Sequence, residues 1–365
     1  MKQLNLLLFF FFSSVSLFSQ SDQKWFSYWN ADTTLLGFKN AKGEILTEPK
    51  FIMVSCSDFE KVSGVVEQVS EDEYKTYYLR NNGTKFAEDS VYFFDAAADN
   101  EHEGYIRFKS PKTKKVGLMD INGKIILPAV YDEMKPVEFG FVRALKGAKK
   151  DFWEEHEDDG CGHFSWVGGE SQLISIENGK VLSSKFLMDK KGEHLYEDLD
   201  YSTFEKSKKP STDSLRMSFK AKGGGYISFM SLGKSFDQWI NQNFFQQPDE
   251  LQFRKIIADS LVLWVEDEGW GEMSKEDLFF RKENEITDFI ELINSNQYEH
   301  FSMSEDFFLY DVPMFKKYYT SCMEFDAPHY PYYCVVVTNK NSDEQSHLQF
   351  LRTDIGWQLV CLTLR

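Results

Sequence analysis

The chain has 365 residues, of which 42% are hydrophobic and 16% aromatic, and its 41 Lys and Arg against 58 Asp and Glu give a formal net charge of −17. Such a surface repels phosphate backbones, so nucleic acid is excluded as a partner, and the acidity itself serves solubility. The length exceeds what one typical core accommodates and predicts two or three domains.

At the N-terminus, Lys2, an uncharged stretch from Leu4 to Phe18 and the small polar exit Ser19-Gln20 have the order of a cleaved export signal. Cleavage is expected after Ser19, and no Cys near the cut suggests lipid modification. The apolar stretch is short for a bilayer-spanning helix, and no later segment is apolar for about eighteen residues, so the processed chain is expected not to be an integral membrane protein. Removing residues 1–19 leaves 40 Lys and Arg against 58 Asp and Glu, a net charge of −18. Five cysteines remain, Cys56, Cys161, Cys322, Cys334 and Cys361. They are too few for a disulfide scaffold, and the odd count leaves one thiol unpaired or intermolecular.

Self-similarity follows. Asn40-Ala41-Lys42-Gly43, Arg80-Asn81-Asn82-Gly83 and Asp120-Ile121-Asn122-Gly123 place their glycines forty residues apart twice in succession. A second marker keeps nearly the same beat: the segments beginning at Gly64, Gly104 and Gly140 are forty and thirty-six residues apart. Each unit reads as a strand, an Asn or Asp turn closed by a Gly that accepts positive φ, a return strand and a break. The third copy shows this best, with Val116 to Met119 entering the turn, Lys124 to Leu127 leaving it, then Pro128 and Tyr131-Asp132. In the first copy the matching residues are Leu36-Gly37-Phe38, Gly43 to Leu46, Pro49 and Phe51. The expected repeat turns are Asn40 with Gly43, Asn82 with Gly83, Asp120 with Gly123 and, in a fourth copy displaced by an insertion near 146–175, Asp189 with Gly192.

At these residues the chain resembles the WG-repeat family, whose units carry a Trp-Gly step, an acidic or amide turn ending in Gly, a β-branched pair, a Pro and an aromatic-Asp. Leu36 and Val116 stand where that Trp would be, and the middle copy has Tyr77 in the Gly register and no Pro. The resemblance covers about residues 30 to 205 and implies a non-catalytic binding or scaffold module.

The polar, basic run 206–214, broken by Pro210, is expected to link the array to a second domain. Beyond it Phe236, Trp239, Ile240 and Phe244 fall at helical spacing, as do Phe289, Ile290 and Ile293. Strands return at Tyr332 to Thr338, His347 to Arg352 and Trp357 to Leu364, with a turn at 353–356. The fold class expected is therefore mixed: an N-terminal all-β repeat array of hairpin units over 25–205 and a C-terminal α+β domain over 215–365. The ending Ile355-Gly356-Trp357-Gln358-Leu359-Val360 is similar to the last strand of nuclear transport factor 2-like folds, which host enzymes and binding modules alike.

Candidate chemistry is sparse. His156, Asp158, Cys161 and His163 in the insertion are competent metal ligands, but their spacing matches no zinc motif, and a solvated acidic loop without a structural metal is expected. Contiguous acids such as Glu266-Asp267-Glu268 suit solvent rather than a buried acid and base. No nucleophile elbow, P-loop or dinucleotide fingerprint is present, and no cofactor is implied. Tyr310, Phe315, Tyr318, Tyr319, Phe325, Tyr330, Tyr332 and Tyr333 crowd one stretch and suit a core or a peptide or sugar pocket. Cys334 and Cys361, on strands separated by a third, are expected to be unbridged; were a bridge to form, Cys322 is the expected partner of either.

Together these readings predict an exported, non-enzymatic repeat protein of the periplasm, cell surface or exterior that binds a protein, peptide or glycan. The alternative is an envelope enzyme whose site lies in the C-terminal domain, and a buried polar cluster in a concave pocket there would favour it.

Overall fold

The computed structural model describes residues 24–152, 164–265, 269–305, 309 and 311–364. The expected export signal, the loop with His156, Asp158, Cys161 and His163, the acidic run 266–268 and Tyr310 lie outside the described residues.

The first strands, β1 (Trp25–Trp29), β2 (Leu36–Lys39) and β3 (Ile45–Val54), form an antiparallel unit, with the short β4 (Asp58–Phe59) returning to β1. A second unit, β5 (Val62–Gln68), β6 (Tyr74–Arg80) and the short β7 (Lys85–Phe86), pairs onto β3 and completes a seven-stranded sheet. After a minimal hairpin, β8 (Phe93–Phe94) and β9 (Ala97–Ala98), the third unit follows as β10 (Tyr105–Lys109), β11 (Val116–Asp120) and β12 (Ile125–Tyr131). The registers of the first and third units are the same eighty residues apart: Leu36 faces Phe51, Phe38 faces Thr47 and Lys39 faces Ile45, as Val116 faces Tyr131, Leu118 faces Leu127 and Met119 faces Ile125.

The turns explain the beat. Asn40 Oδ1 accepts from the amides of Lys42 (3.0 Å) and Glu44 (2.9 Å), and Asp120 Oδ1 accepts from those of Asn122 (2.8 Å) and Lys124 (2.9 Å). Each side chain thus stands in for a turn of backbone, and the closing Gly43 and Gly123 sit at φ 83° and 81°, where a Cβ is disfavoured. In the second unit Arg80 occupies the first turn position, so Asn82 supplies the cap instead, accepting from Thr84 N at 3.0 Å, and Gly83 sits at φ 81°.

The fourth unit departs from the expected place. It is built from β13 (Glu133–Met134), β14 (Phe141–Lys146), β17 (Glu170–Ser175) and β18 (Lys180–Ser183), and its turn is Glu177-Asn178-Gly179. The insertion, β15 (Lys149–Phe152) and β16 (Phe164–Val167), prolongs the β14–β17 hairpin and pushes that turn down the chain. Asp189 and Gly192 do form the same capped turn, with Lys191 and Glu193 amides on Asp189 Oδ1 at 2.7 and 2.8 Å. It joins a single bridge, Met188 to His194, rather than a pair of strands.

Neighbouring units share their cores, as stacked repeats do. Tyr78 and Val62 of the second unit pack with Ile106, Phe108 and Met119 of the third, whose opposite face gives Val116, Leu118 and Tyr131 to a cluster with Val142 and Ile174 of the fourth. Arg107 welds the joint: it pairs with Asp99, donates to the Met134 carbonyl at 2.8 Å and lies 4.5 Å from the Tyr92 ring centre.

The expected linker is not a spacer. Lys206 and Ser207 end β19 (Leu199–Ser207), paired with Ile227 and Tyr226, and 208–214 connects to β20 (Arg216–Lys220) within a sheet completed by β21 (Tyr226–Ser231). Leu173 of the fourth unit and Phe229 of β21 share one apolar cluster, so the core runs through the position where a boundary is expected. The polar composition there belongs to a strand end and a hairpin connection.

Ser231 then caps α1 (Leu232–Ile240), accepting from Lys234 N at 3.2 Å, and α2 (Glu250–Ile256) follows. A six-stranded sheet has the order β23-β22-β27-β26-β25-β24, from β22 (Ile257–Val265), β23 (Gly269–Ser274), β24 (Tyr298–Ser304), β25 (Tyr332–Asn339), β26 (Gln345–Thr353) and β27 (Gly356–Thr363). Helices α3 (Lys275–Arg281) and α4 (Glu283–Ser295) lie between β23 and β24 in the chain. Phe236, Ile240, Phe244, Phe289 and Ile293 pack from the helices onto one sheet face, meeting Tyr333, Val335 and Phe350. The other face gives Tyr332, Leu351, Val360 and Cys361 to a second cluster with Phe315 and Tyr318. Strands thus dominate the described chain, in several small, mainly antiparallel sheets with few helices.

Candidate functional site

The two halves of the chain meet along residues 319–331, a strap that leaves the C-terminal sheet and crosses the array. Cys322 forms a disulfide with Cys56 of the first unit, at a Cα separation of 4.5 Å, and not with Cys334 or Cys361. Its position explains this: the strap places Cys322 against the Trp25, Phe38 and Phe59 cluster, whereas Cys334 and Cys361 are buried within the C-terminal sheet. Further along, Glu324 Oε1 accepts from Asn100 Nδ2 at 2.9 Å, and the His329 ring lies 4.7 Å from that of Phe139.

Beside the strap opens a cleft of about 1170 Å³. One wall is the fourth unit and the segment leading into β19, with Lys135, Glu138, Phe141, Arg143, Tyr196, Glu197, Asp198 and Tyr201; the other is the C-terminal sheet, with Trp270, Met303, Glu305, Tyr332, Tyr333 and Gln349. Tyr333 bridges the walls, its hydroxyl donating to Asp198 Oδ2 at 3.4 Å, and Arg352 fixes Asp200 at 2.7 Å beneath them. The acids outnumber the bases. Desolvation pushes the Glu138 carboxyl up to about 7; Lys135 opposes this, Asp198 and Glu103 add to it, and His329 opposes it again. Arg143 is oriented by its hydrogen bond to the Ser171 hydroxyl at 2.9 Å. Aromatic side chains stand open on both walls, with Tyr196 96% and Trp270 53% exposed.

A smaller cavity of about 360 Å³ also adjoins the strap, lined by Lys61, Glu101, His102, Glu103, Cys322 and His329 among others. Pro328 lines both cavities, so the strap borders each of them.

The repeat turns Asn40, Gly43, Asn82, Gly83, Asp120, Gly123, Asp189 and Gly192 lie outside the cleft lining and serve the array. The aromatic run divides: Phe315, Tyr318, Tyr319, Phe325 and Tyr330 join Tyr332 in the cluster on one sheet face, Tyr333 packs with the helices on the other, and Tyr332 and Tyr333 both line the cleft. Among the described residues no group of three or more His, Cys, Asp or Glu is arranged to hold a metal ion. Burial, abetted by Glu305, pushes the Cys334 thiol up to about 12, and burial does the same for Cys361. Glu138, Arg143 and Asp198 carry no sequence signal; only the fold brings them to one wall.

Residues 117–149 match the model of the WG containing repeat family, a span that runs from the Gly of the third unit through β14. No curated protein and no solved structure was found to match the chain, and the similarity of its ending to nuclear transport factor 2-like folds is not supported. Among the described residues no helix is long and apolar enough to cross a membrane.

Proposed function

We propose that this is an exported, non-catalytic binding module in which a WG-type array and a C-terminal α+β domain together hold a basic, extended peptide segment. The observation that carries the reading is the cleft walled by both halves, where Glu138, Glu197, Asp198 and Glu305 face only Lys135 and Arg143. Open tyrosine and tryptophan faces beside those carboxylates suit Lys or Arg side chains, which carry an ammonium or guanidinium on an apolar stem. The Cys56–Cys322 bond fits an oxidising compartment and so supports a periplasmic, cell-surface or secreted location. Calorimetric titration at low salt tests the reading with hexalysine as probe and hexaglutamate as control. Saturable binding of hexalysine alone is expected, weakened tenfold or more in Glu138→Gln/Asp198→Asn; equal binding of both peptides, or of neither, overturns it.

Glu138 also favours a second reading, an envelope enzyme, because a carboxyl titrating near neutrality in a cleft is suited to proton transfer. In that case Glu138→Gln leaves hexalysine affinity within about twofold of the native value, since the group acts on a proton and not on the ligand's charge.

A further inference from the structure

The path of the strap, apart from what the cleft holds, leads to a statement about when the cleft exists. We propose that the Cys56–Cys322 bond is a compartment-gated clasp: before it forms, residues 319–331 do not settle on the array and the lining they give to both cavities is missing.

The hydrogen bonds show how little else places the strap. Its backbone bonds close on itself and on its own half of the chain: Thr320 N to Glu324 O, Met323 N to Thr320 O, Asp326 N to Tyr318 O, Tyr330 N to Asp326 O, and Arg352 N to Pro331 O. Its hold on the array is through side chains: Glu324 with Asn100 at 2.9 Å and with His102 at 3.6 Å, and His329 against Phe139 at 4.7 Å. Asn100 is buried, at 8% exposed, but these are two side-chain polar contacts and one ring contact, each of which contributes only about 1 kcal/mol. The disulfide joins residues 266 apart in sequence, so it turns docking of the strap from a search by a remote segment into a local event, and that is where its effect on the strap's position is largest.

The chemistry balances with a disulfide-bearing oxidant. Cys56 and Cys322 each give up a thiol proton, the two sulfurs lose two electrons in forming their bond, and the oxidant's disulfide takes up both electrons and both protons to leave as two thiols. Once made, the bond is guarded on one side. Cys56 is 1% exposed beneath Trp25, Phe38 and Phe59, while Cys322 lines the smaller cavity, so an attacking thiolate reaches only the strap's sulfur. The clasp closes on export, and reopening it requires a thiol that enters the smaller cavity.

Hydrogen exchange followed by mass spectrometry tests this on the full processed chain, comparing the oxidised protein with the same protein reduced by dithiothreitol and with Cys322→Ser. Exchange at least tenfold faster is expected in 319–331 and in the facing segments 99–103 and 137–140, with β11, β12, β25 and β26 unchanged. Strap exchange within twofold of the oxidised protein in both reduced forms would overturn the clasp. Loss of protection throughout the chain would overturn it equally, because the bond would then hold up the whole fold. Neither readout depends on whether hexalysine binds.

Discussion

Gly64 lies directly opposite Tyr78 across β5 and β6, the inverse of the Tyr28–Gly37 and Phe108–Gly117 pairs in the first and third units. In each pair the aromatic ring covers the glycine's Cα, which a side chain there would prevent. In the second unit the position matching Gly37 and Gly117 is Tyr77, which faces Val65, and the glycine–aromatic pair lies one residue on with its order across the two strands reversed. A methyl group on Gly117 would stand 2.6 Å from the Phe108 ring and 2.7 Å from the Leu127 carbonyl oxygen, and backbone cannot yield as a flexible side chain does. Gly117→Ala is therefore expected to lower stability by about 2–3 kcal/mol. The urea midpoint measures it, and Phe108→Leu in the same chain should recover part of the loss.

The turn glycines separate strain from crowding. Gly43 and Gly123 share a φ near 80°, but a Cβ on Gly43 meets nothing within 4 Å, whereas one on Gly123 comes 3.0 Å from the Phe86 ring. Gly43→Val should cost about 1–2 kcal/mol from backbone strain alone, and Gly123→Val should cost more. Equal urea midpoints for the two variants would contradict the contact between Phe86 and the third turn.

What the sequence shows of this fold is what local chemistry dictates. The forty-residue beat is legible because a tight turn needs both an Asx cap and a positive-φ glycine, and Asn40, Asp120, Gly43 and Gly123 advertise both. The fourth unit is harder to read: its turn, Asn178-Gly179, follows a long inserted hairpin, while Asp189 to Gly192 imitates the motif without strands to join. The site is not legible at all. Glu138 meets Asp198 and His329 only through packing, and Cys56 meets Cys322 only because the strap crosses the first unit.

Glu67 should govern part of the acid limb of stability. Desolvation would raise its pKa, but hydrogen bonds from Lys85, Tyr77 and Lys50 outweigh that and hold the carboxyl at about 2. A depressed folded pKa contributes stability that is complete above the unfolded value, about 4.3, and is lost as pH falls from there through about 2. Glu67→Gln should therefore flatten the pH dependence of the urea midpoint below pH 4.5, by about 1–2 kcal/mol after allowance for solvent screening. An unchanged slope in that window would mean the three-donor cluster does not persist in solution.

Glu138 has the opposite sign. Its folded pKa is raised to about 7, so folding favours the protonated form, and stability declines as pH rises from about 4.3 to 7 and is level above. Glu138→Gln, which removes the charge, is expected to match the native protein at pH 4 and to exceed it by about 1–3 kcal/mol at pH 8. Thermal unfolding at the two pH values checks this, and a variant less stable at pH 8 would show that the carboxylate has a favourable partner in the folded state.

Cys334 and Cys361 should remain thiols in the oxidised protein. Cys334 faces Gln349 across β25 and β26, and Gln349 faces Cys361 across β26 and β27, so the two sulfurs sit on strands with a third between them. Adjacent strands are about 4.8 Å apart, which puts these α-carbons beyond the roughly 7 Å that a disulfide spans. Burial also keeps both thiols protonated, with pKa values near 12, so little thiolate exists at neutral pH to start an exchange. Peptide mapping without reduction should yield the Cys56–Cys322 fragment and none joining Cys334 to Cys361. Iodoacetamide at pH 8 should label the last two only after unfolding; rapid labelling of the native protein would show that the face of the sheet carrying Tyr332 and Leu351 opens in solution, and with it the wall of the cleft.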